Sequence, residues 1–231
     1  MADKDRLTAW NRRGVIAGGA AAFAAPFVRP ARADTPLVSP DEALERLMEG
    51  NARYVANTPI NTDHSVGRSA RALGQQPFAT IVSCADSRVA PELIFDQGPG
   101  ELFVIRAAGN VISDYGLASL EYGAAVLGIS TILVLGHSSC GAVSATISAV
   151  EDATLPGGHL SGLVNAIRPA VEDVMADNPP DLLAAATAQN ARLGAQKARS
   201  TAPILSDLTQ SGRLKSAAAI YDIATGKVEF L

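Results

Sequence analysis

The sequence predicts an α/β fold, a mostly parallel central β-sheet flanked by helices, and three observations support that prediction. Residues 78–83 and 131–135 are short apolar runs rich in β-formers, too short for helices and continuous enough to be buried strands. Longer stretches of helical character alternate with them, as in proteins built from strand and helix in turn. Both runs stop abruptly at polar residues, Asp86-Ser87-Arg88 after the first and His137-Ser138-Ser139 after the second. Strand ends of this kind form the crevice where open α/β sheets place their ligand chemistry.

The elements follow from the N-terminus. Residues 1–33 have a signal-peptide layout: Lys4, Arg6, Arg12 and Arg13, then a mildly apolar stretch over 15–28, then the small-x-small site Ala31-Arg32-Ala33. The apolar stretch is rich in Gly and Ala and broken by Pro26, too weak to span a membrane. The pair Arg12-Arg13 resembles a twin-arginine export signal, with Asn11 and Val15 in place of the usual Ser/Thr and Phe; an ordinary Sec signal is the alternative. A mature domain over residues 34–231, periplasmic or secreted, is the expectation.

In that domain Ser39-Pro40-Asp41-Glu42 reads as a capped helix start, with the helix ending near Gly50. A short helix is expected at about 68–73, a strand at 78–83, a helical turn at 91–95 and a strand at 102–106. An apolar helix from 114 to about 127 ends before Gly128, a plausible cap. After the strand at 131–135, a helix starts at Gly141, so Cys140 falls near a helix N-terminus, where the dipole favours thiolate. Helices at 160–175, 181–199 and 204–212 and a hairpin of 217–223 and 227–231, turning at Thr225-Gly226, complete the chain.

Removing residues 1–33 takes away six basic and two acidic side chains and moves the formal net charge from −4 to −8. An acidic domain argues against nucleic acid as a partner. Two cysteines in an exported chain invite a disulfide reading. Against it, Cys84 and Cys140 stand at strand ends beside polar neighbours, with His137 close to one of them. Two thiolates and an imidazole suit zinc, which needs a fourth ligand.

Together these motifs make the chain resemble the β-class carbonic anhydrases. The resemblance is carried by Cys84-Ala85-Asp86-Ser87-Arg88, by the run from Glu101 to Asn110, by Leu120-Glu121-Tyr122 and by Gly136-His137-Ser138-Ser139-Cys140-Gly141, and extends from about Pro40 to Leu231. It implies one Zn²⁺ per chain held by Cys84, His137 and Cys140, with water or hydroxide in the fourth position attacking carbon dioxide to give bicarbonate. Asp86 would accept a hydrogen bond from that water, and Arg88 would hold the Asp86 carboxylate in a forked pair. Gln75 would polarise a substrate oxygen, often from a neighbouring subunit. Phe103 and Tyr122 would line a small apolar pocket, with Gly141 beside the substrate. Arg106 is expected to be structural, satisfying a carboxylate or main-chain carbonyl nearby.

Two departures stand out: Ala107 where Asn is frequent, and Ile81 where members regulated by bicarbonate carry Trp. His64 and His159 read as solvated surface residues. The resemblance further implies a homodimer or a dimer of dimers, with the first helix reaching a partner subunit. Two other readings are weighed: a carbon disulfide or carbonyl sulfide hydrolase on the same ligands, and a non-catalytic zinc-binding module. The module gives no reason for an Asp86–Arg88 pair beside the metal, and structural zinc sites usually close all four positions.

Overall fold

A computed structural model describes residues 38–65 and 67–231. The expected leader over 1–33, with Arg12-Arg13, lies outside the described residues. The sheet has five strands: β1 (Ala79–Cys84), β2 (Leu102–Ala107), β3 (Thr131–His137), β4 (Lys215–Tyr221) and β5 (Val228–Phe230). Their order is β2-β1-β3-β4-β5. The first four run parallel, and β5 turns back antiparallel along β4. β1 and β3 are buried along their whole length, which is why they read as continuous apolar runs rather than alternating ones.

Helices cover both faces. Ile81, Leu133, Leu135, Ala219 and Tyr221 point to one side, where Ala43 and Leu47 of α1 (Pro40–Val55) and Ile94 of α3 (Pro91–Ile94) pack against them. Val82, Ile132, Val134 and Ala218 point to the other. There they meet α4 (Asp114–Ala125), α7 (Leu182–Ser200) and α8 (Ile204–Gln210). The alanines of α7 allow close approach: a Cβ added at Gly194 would lie 3.0 Å from a Val134 methyl. The helices α5 (Gly141–Glu151) and α6 (Leu160–Met175) close over the carboxyl end of the sheet, their Val143, Ile167 and Val171 packing around Cys84 and Cys140. The short α2 (Arg68–Arg71) is exposed. Among the described residues no helix is long and apolar enough to cross a membrane.

The element sequence agrees with expectation, and the boundaries move for identifiable reasons. Ser39 caps α1 by accepting from Glu42 N, but the Glu42 carboxylate pairs with Arg46 at 2.6 Å. The helix runs through Gly50 to Val55, because that glycine is a packing position rather than a stop. A Cβ there would sit 1.8 Å from the Phe95 carbonyl oxygen. The next residue, Asn51, donates to Ile94 O and Gly226 O and accepts from Val228 N, tying α1, α3 and the final hairpin together. β4 begins and ends two residues earlier than the apolar pattern indicates, since its pairing with β3 starts at Lys215 opposite Thr131. Gly128 is left-handed at φ 73°, in the turn after α4 rather than at its cap, which is Val126.

Candidate metal centre

β1 and β3 are neighbours, so their carboxyl ends bring Cys84 and His137 side by side, and three residues on, Cys140 is the N-cap of α5. The ligand atoms of these residues lie within 4.8 Å of one another. All three are buried, with His137 0%, Cys140 1% and Cys84 5% exposed, so a bound ion would be shielded from bulk water on the protein side. Both cysteines are free thiols. The ring of His137 is fixed by its Nδ1–H, which donates to the Ser138 carbonyl at 3.0 Å. Its Nε2 is buried and has no hydrogen bond. A buried imidazole nitrogen with no geometric hydrogen bond, within 4.8 Å of two cysteine sulfurs, is a donor able to take a metal ion. The residues fit a metal ion.

The two thiols differ in their surroundings. The Cys140 thiol donates to Cys84, which against the effect of burial holds Cys84 far below the ordinary thiol range. Cys140 is pushed up in turn by the same contact and by burial. Two further donors point at the Cys84 sulfur: Gly109 N–H at 3.2 Å and Asp86 N–H at 3.4 Å. Gly109 reaches it because the chain leaving β2 is left-handed at Gly109 and Asn110, with φ 62° and 47°. These donors were not foreseen, although the Gly-Asn pair after the strand was the visible signal.

Asp86 and Arg88 sit at the mouth of this cluster. Arg88 Nε donates to Asp86 Oδ1 at 2.9 Å and Nη2 to Oδ2 at 2.7 Å, with the Arg88 backbone N–H adding a third bond at 3.0 Å. The guanidinium and that N–H hold the Asp86 carboxyl well below the usual carboxylate range. Arg88 also reaches the Ser139 carbonyl at 3.5 Å, linking the two strand ends. Asp86 Oδ2 lies 3.9 Å from His137 Nε2.

Of the remaining candidates only Gly141 adjoins the cluster, next to Cys140. Gly141, the first residue of α5, faces open space, with nothing within 4 Å of where its Cβ would be. Phe103 pairs with Thr80, whereas the cluster lies at the level of Cys84 and Ala107, about 13 Å further along the strands at about 3.3 Å per residue. Tyr122 is half exposed on α4 and packs on Phe103, ring centroids 6.3 Å apart. Gln75 is exposed in the segment between α2 and β1. Within one chain these three are not brought to the cluster. His64 and His159 are exposed.

A sequence profile of the family described as carbonic anhydrase matches residues 79–228. Carbonic anhydrase 2 of Mycobacterium tuberculosis is 50% identical over 137 residues, which are 59% of this chain and 66% of that protein, slightly under two thirds of its length. A carbonic anhydrase of Pseudomonas aeruginosa is 38% identical over 169 residues, covering 68% of this chain and 74% of its own. Among solved structures, the β-carbonic anhydrase CcaA superposes with a TM-score of 0.62 at 29% identity, over 81% of this chain and 91% of that one. The Coccomyxa β-carbonic anhydrase, solved with acetazolamide, superposes at 0.63 and 27% identity, over 81% and 86%. With the profile spanning more than half of the residues and the fold shared with the β class, the chain belongs to the carbonic anhydrase family.

Proposed function

We propose that this protein catalyses the reversible hydration of carbon dioxide to bicarbonate and a proton, with one zinc ion held by Cys84, His137 and Cys140. The observation behind the reading is the combination of three buried, convergent ligands with a forked carboxylate at their mouth. Two sulfurs and one nitrogen are a zinc-type donor set, and three protein ligands leave a position for chemistry, where a structural site would close it with a fourth. Bound there, zinc acidifies water enough to supply a nucleophile near neutral pH.

The chain's own groups do the rest. The Asp86 carboxylate, kept ionised by Arg88, would accept a hydrogen bond from the water or hydroxide beside the three ligands and so orient it. The Ser138 carbonyl fixes the His137 tautomer, leaving Nε2 unprotonated and able to ligate a metal. Donation from the Gly109 and Asp86 N–H groups tempers the negative charge on the Cys84 sulfur.

We further propose that a second copy completes the site. β2 is an edge strand, largely apolar yet only partly buried, and carries Phe103 with Tyr122 beside it. A largely apolar edge strand of this kind is a pairing surface. Apolar residues far from their own metal cluster are then available to a neighbour's.

The test is stopped-flow hydration of carbon dioxide together with elemental analysis. The unaltered chain is expected to hold one zinc and hydrate carbon dioxide. Cys140→Ala is expected to lose most of its metal and its activity. Full zinc retention in that variant would refute the ligand assignment, and sulfide release from carbon disulfide without carbon dioxide hydration would reassign the substrate.

A further inference from the structure

The buried residues of α7 are Ala186, Thr187, Asn190, Ala191, Ala195 and Ala198, and among them Asn190 alone carries an amide. It is 8% exposed. An amide buried among alanines is costly unless it is bonded. Its Nδ2 donates to the Gly109 carbonyl at 2.8 Å, across 81 positions of sequence. Further along the same helix, Lys197 Nζ donates to the Ile112 carbonyl at 2.8 Å. Thus α7 holds the segment that leaves β2 at two points.

Gly109 is the residue whose N–H reaches the Cys84 sulfur at 3.2 Å. It is left-handed, at φ 62° and ψ 25°, and a Cβ there would lie 2.6 Å from Ile167 Cδ1. Only glycine fits, yet glycine rotates more freely about both dihedrals than any other residue. Its N–H stays on the sulfur only if something outside the residue fixes it, and Asn190 does so from the carbonyl side. The other N–H donor to that sulfur belongs to Asp86, two residues from Cys84, and is set by local chain direction. The Gly109 donor is set by a distant helix. Uptake of a metal displaces the thiol proton that Cys140 donates to Cys84, and the two N–H groups then remain on the sulfur. Hydrogen bonds to a ligating sulfur draw charge from it and so tune the metal.

We propose that Asn190 is a positioning residue: by holding the Gly109 carbonyl from α7, it keeps the Gly109 N–H on the Cys84 sulfur and lowers the electron donation of that thiolate to a bound metal. The inference rests on the metal reading proposed above.

The experiment uses the full chain loaded with cobalt(II), read by its thiolate-to-cobalt absorption, with thermal unfolding recorded for each variant. Asn190→Asp is nearly isosteric and has no hydrogen to donate. It is expected to move the thiolate-to-cobalt band to longer wavelength, because a sulfur that loses an N–H donor gives up its electron more easily. Asn190→Ala is expected to move the band the same way and decides the matter if the aspartate variant does not fold. Lys197→Met is the control: it loosens the same segment at Ile112, so it is expected to lower the unfolding temperature and leave the band in place. Three results overturn the proposal. One is a band unmoved in the Asn190 variants. Another is an equal displacement in Lys197→Met, which makes the effect a general loosening of the segment. The last is failure of both Asn190 variants to fold, which makes the residue merely structural. Absence of thiolate-to-cobalt absorption in the unaltered protein would instead overturn the metal reading, leaving the two failures distinguishable.

Discussion

At the scale of single residues, guanidinium and backbone donors converge on the acceptors of the cluster, Arg88 on Asp86 and the Gly109 and Asp86 N–H groups on Cys84. Arg88 gives Asp86 a forked pair plus a backbone bond, and that carboxylate is held ionised far below its ordinary range. Arg88→Ala is expected to lower carbon dioxide hydration by about 100-fold, with Arg88→Lys recovering only part of it because a lysine cannot fork. Stopped-flow rates at equal zinc content check this, and a fully active Arg88→Ala would remove Asp86 from the mechanism. The cluster of Cys84, His137 and Cys140 was legible in the sequence because thiols and imidazole at strand ends announce their chemistry by residue type. The groups that tune them were not, since Gly109 N–H and the Ser138 carbonyl act through the backbone, which every residue carries. Arg106 was read as structural, and its two carbonyl bonds agree with that.

At the scale of elements, Asp96 holds the segment after α1 to the turn after α3. It is left-handed at φ 45°, and its side chain, 1% exposed, accepts from Arg53 Nε at 2.5 Å, from Ile60 N–H at 3.1 Å and from Asn61 N–H at 3.0 Å. Burial pushes its carboxyl up, but Arg53 and those N–H groups outweigh it and hold the carboxyl below its ordinary value. A depressed folded-state pKa gives stability that is present above the unfolded value, about 3.9, and lost as pH falls through the folded one. Asp96→Asn keeps the left-handed backbone accessible and is expected to cost about 1–3 kcal/mol at neutral pH. It should also flatten the decline in stability below about pH 4. Urea unfolding across that range tests both, and an acid limb identical to that of the unaltered protein would count against the ion pair. Strands and helices were readable because periodicity reports burial, and Gly50 misled because a glycine is equally a helix stop and a point of backbone contact.

At the scale of the whole molecule, the α/β class and the parallel sheet followed from the sequence, since buried central strands have no polar face to disguise them. The separation of Phe103 and Tyr122 from the metal cluster did not follow, because it is a property of register rather than of residue type. If a second copy completes the site as proposed, that separation makes function a matter of stoichiometry between chains. On that proposal a variant lacking the Cys140 thiol and a variant lacking the Tyr122 ring are defective in different halves of one composite centre. Unfolded together and refolded as a mixture, they should pair at random, so that about half the dimers are hybrids, each with one sound centre and one doubly damaged. Specific activity should then climb to about a quarter of the unaltered value from two preparations that are each well below it. A mixture no more active than the average of its components would mean that each chain works alone.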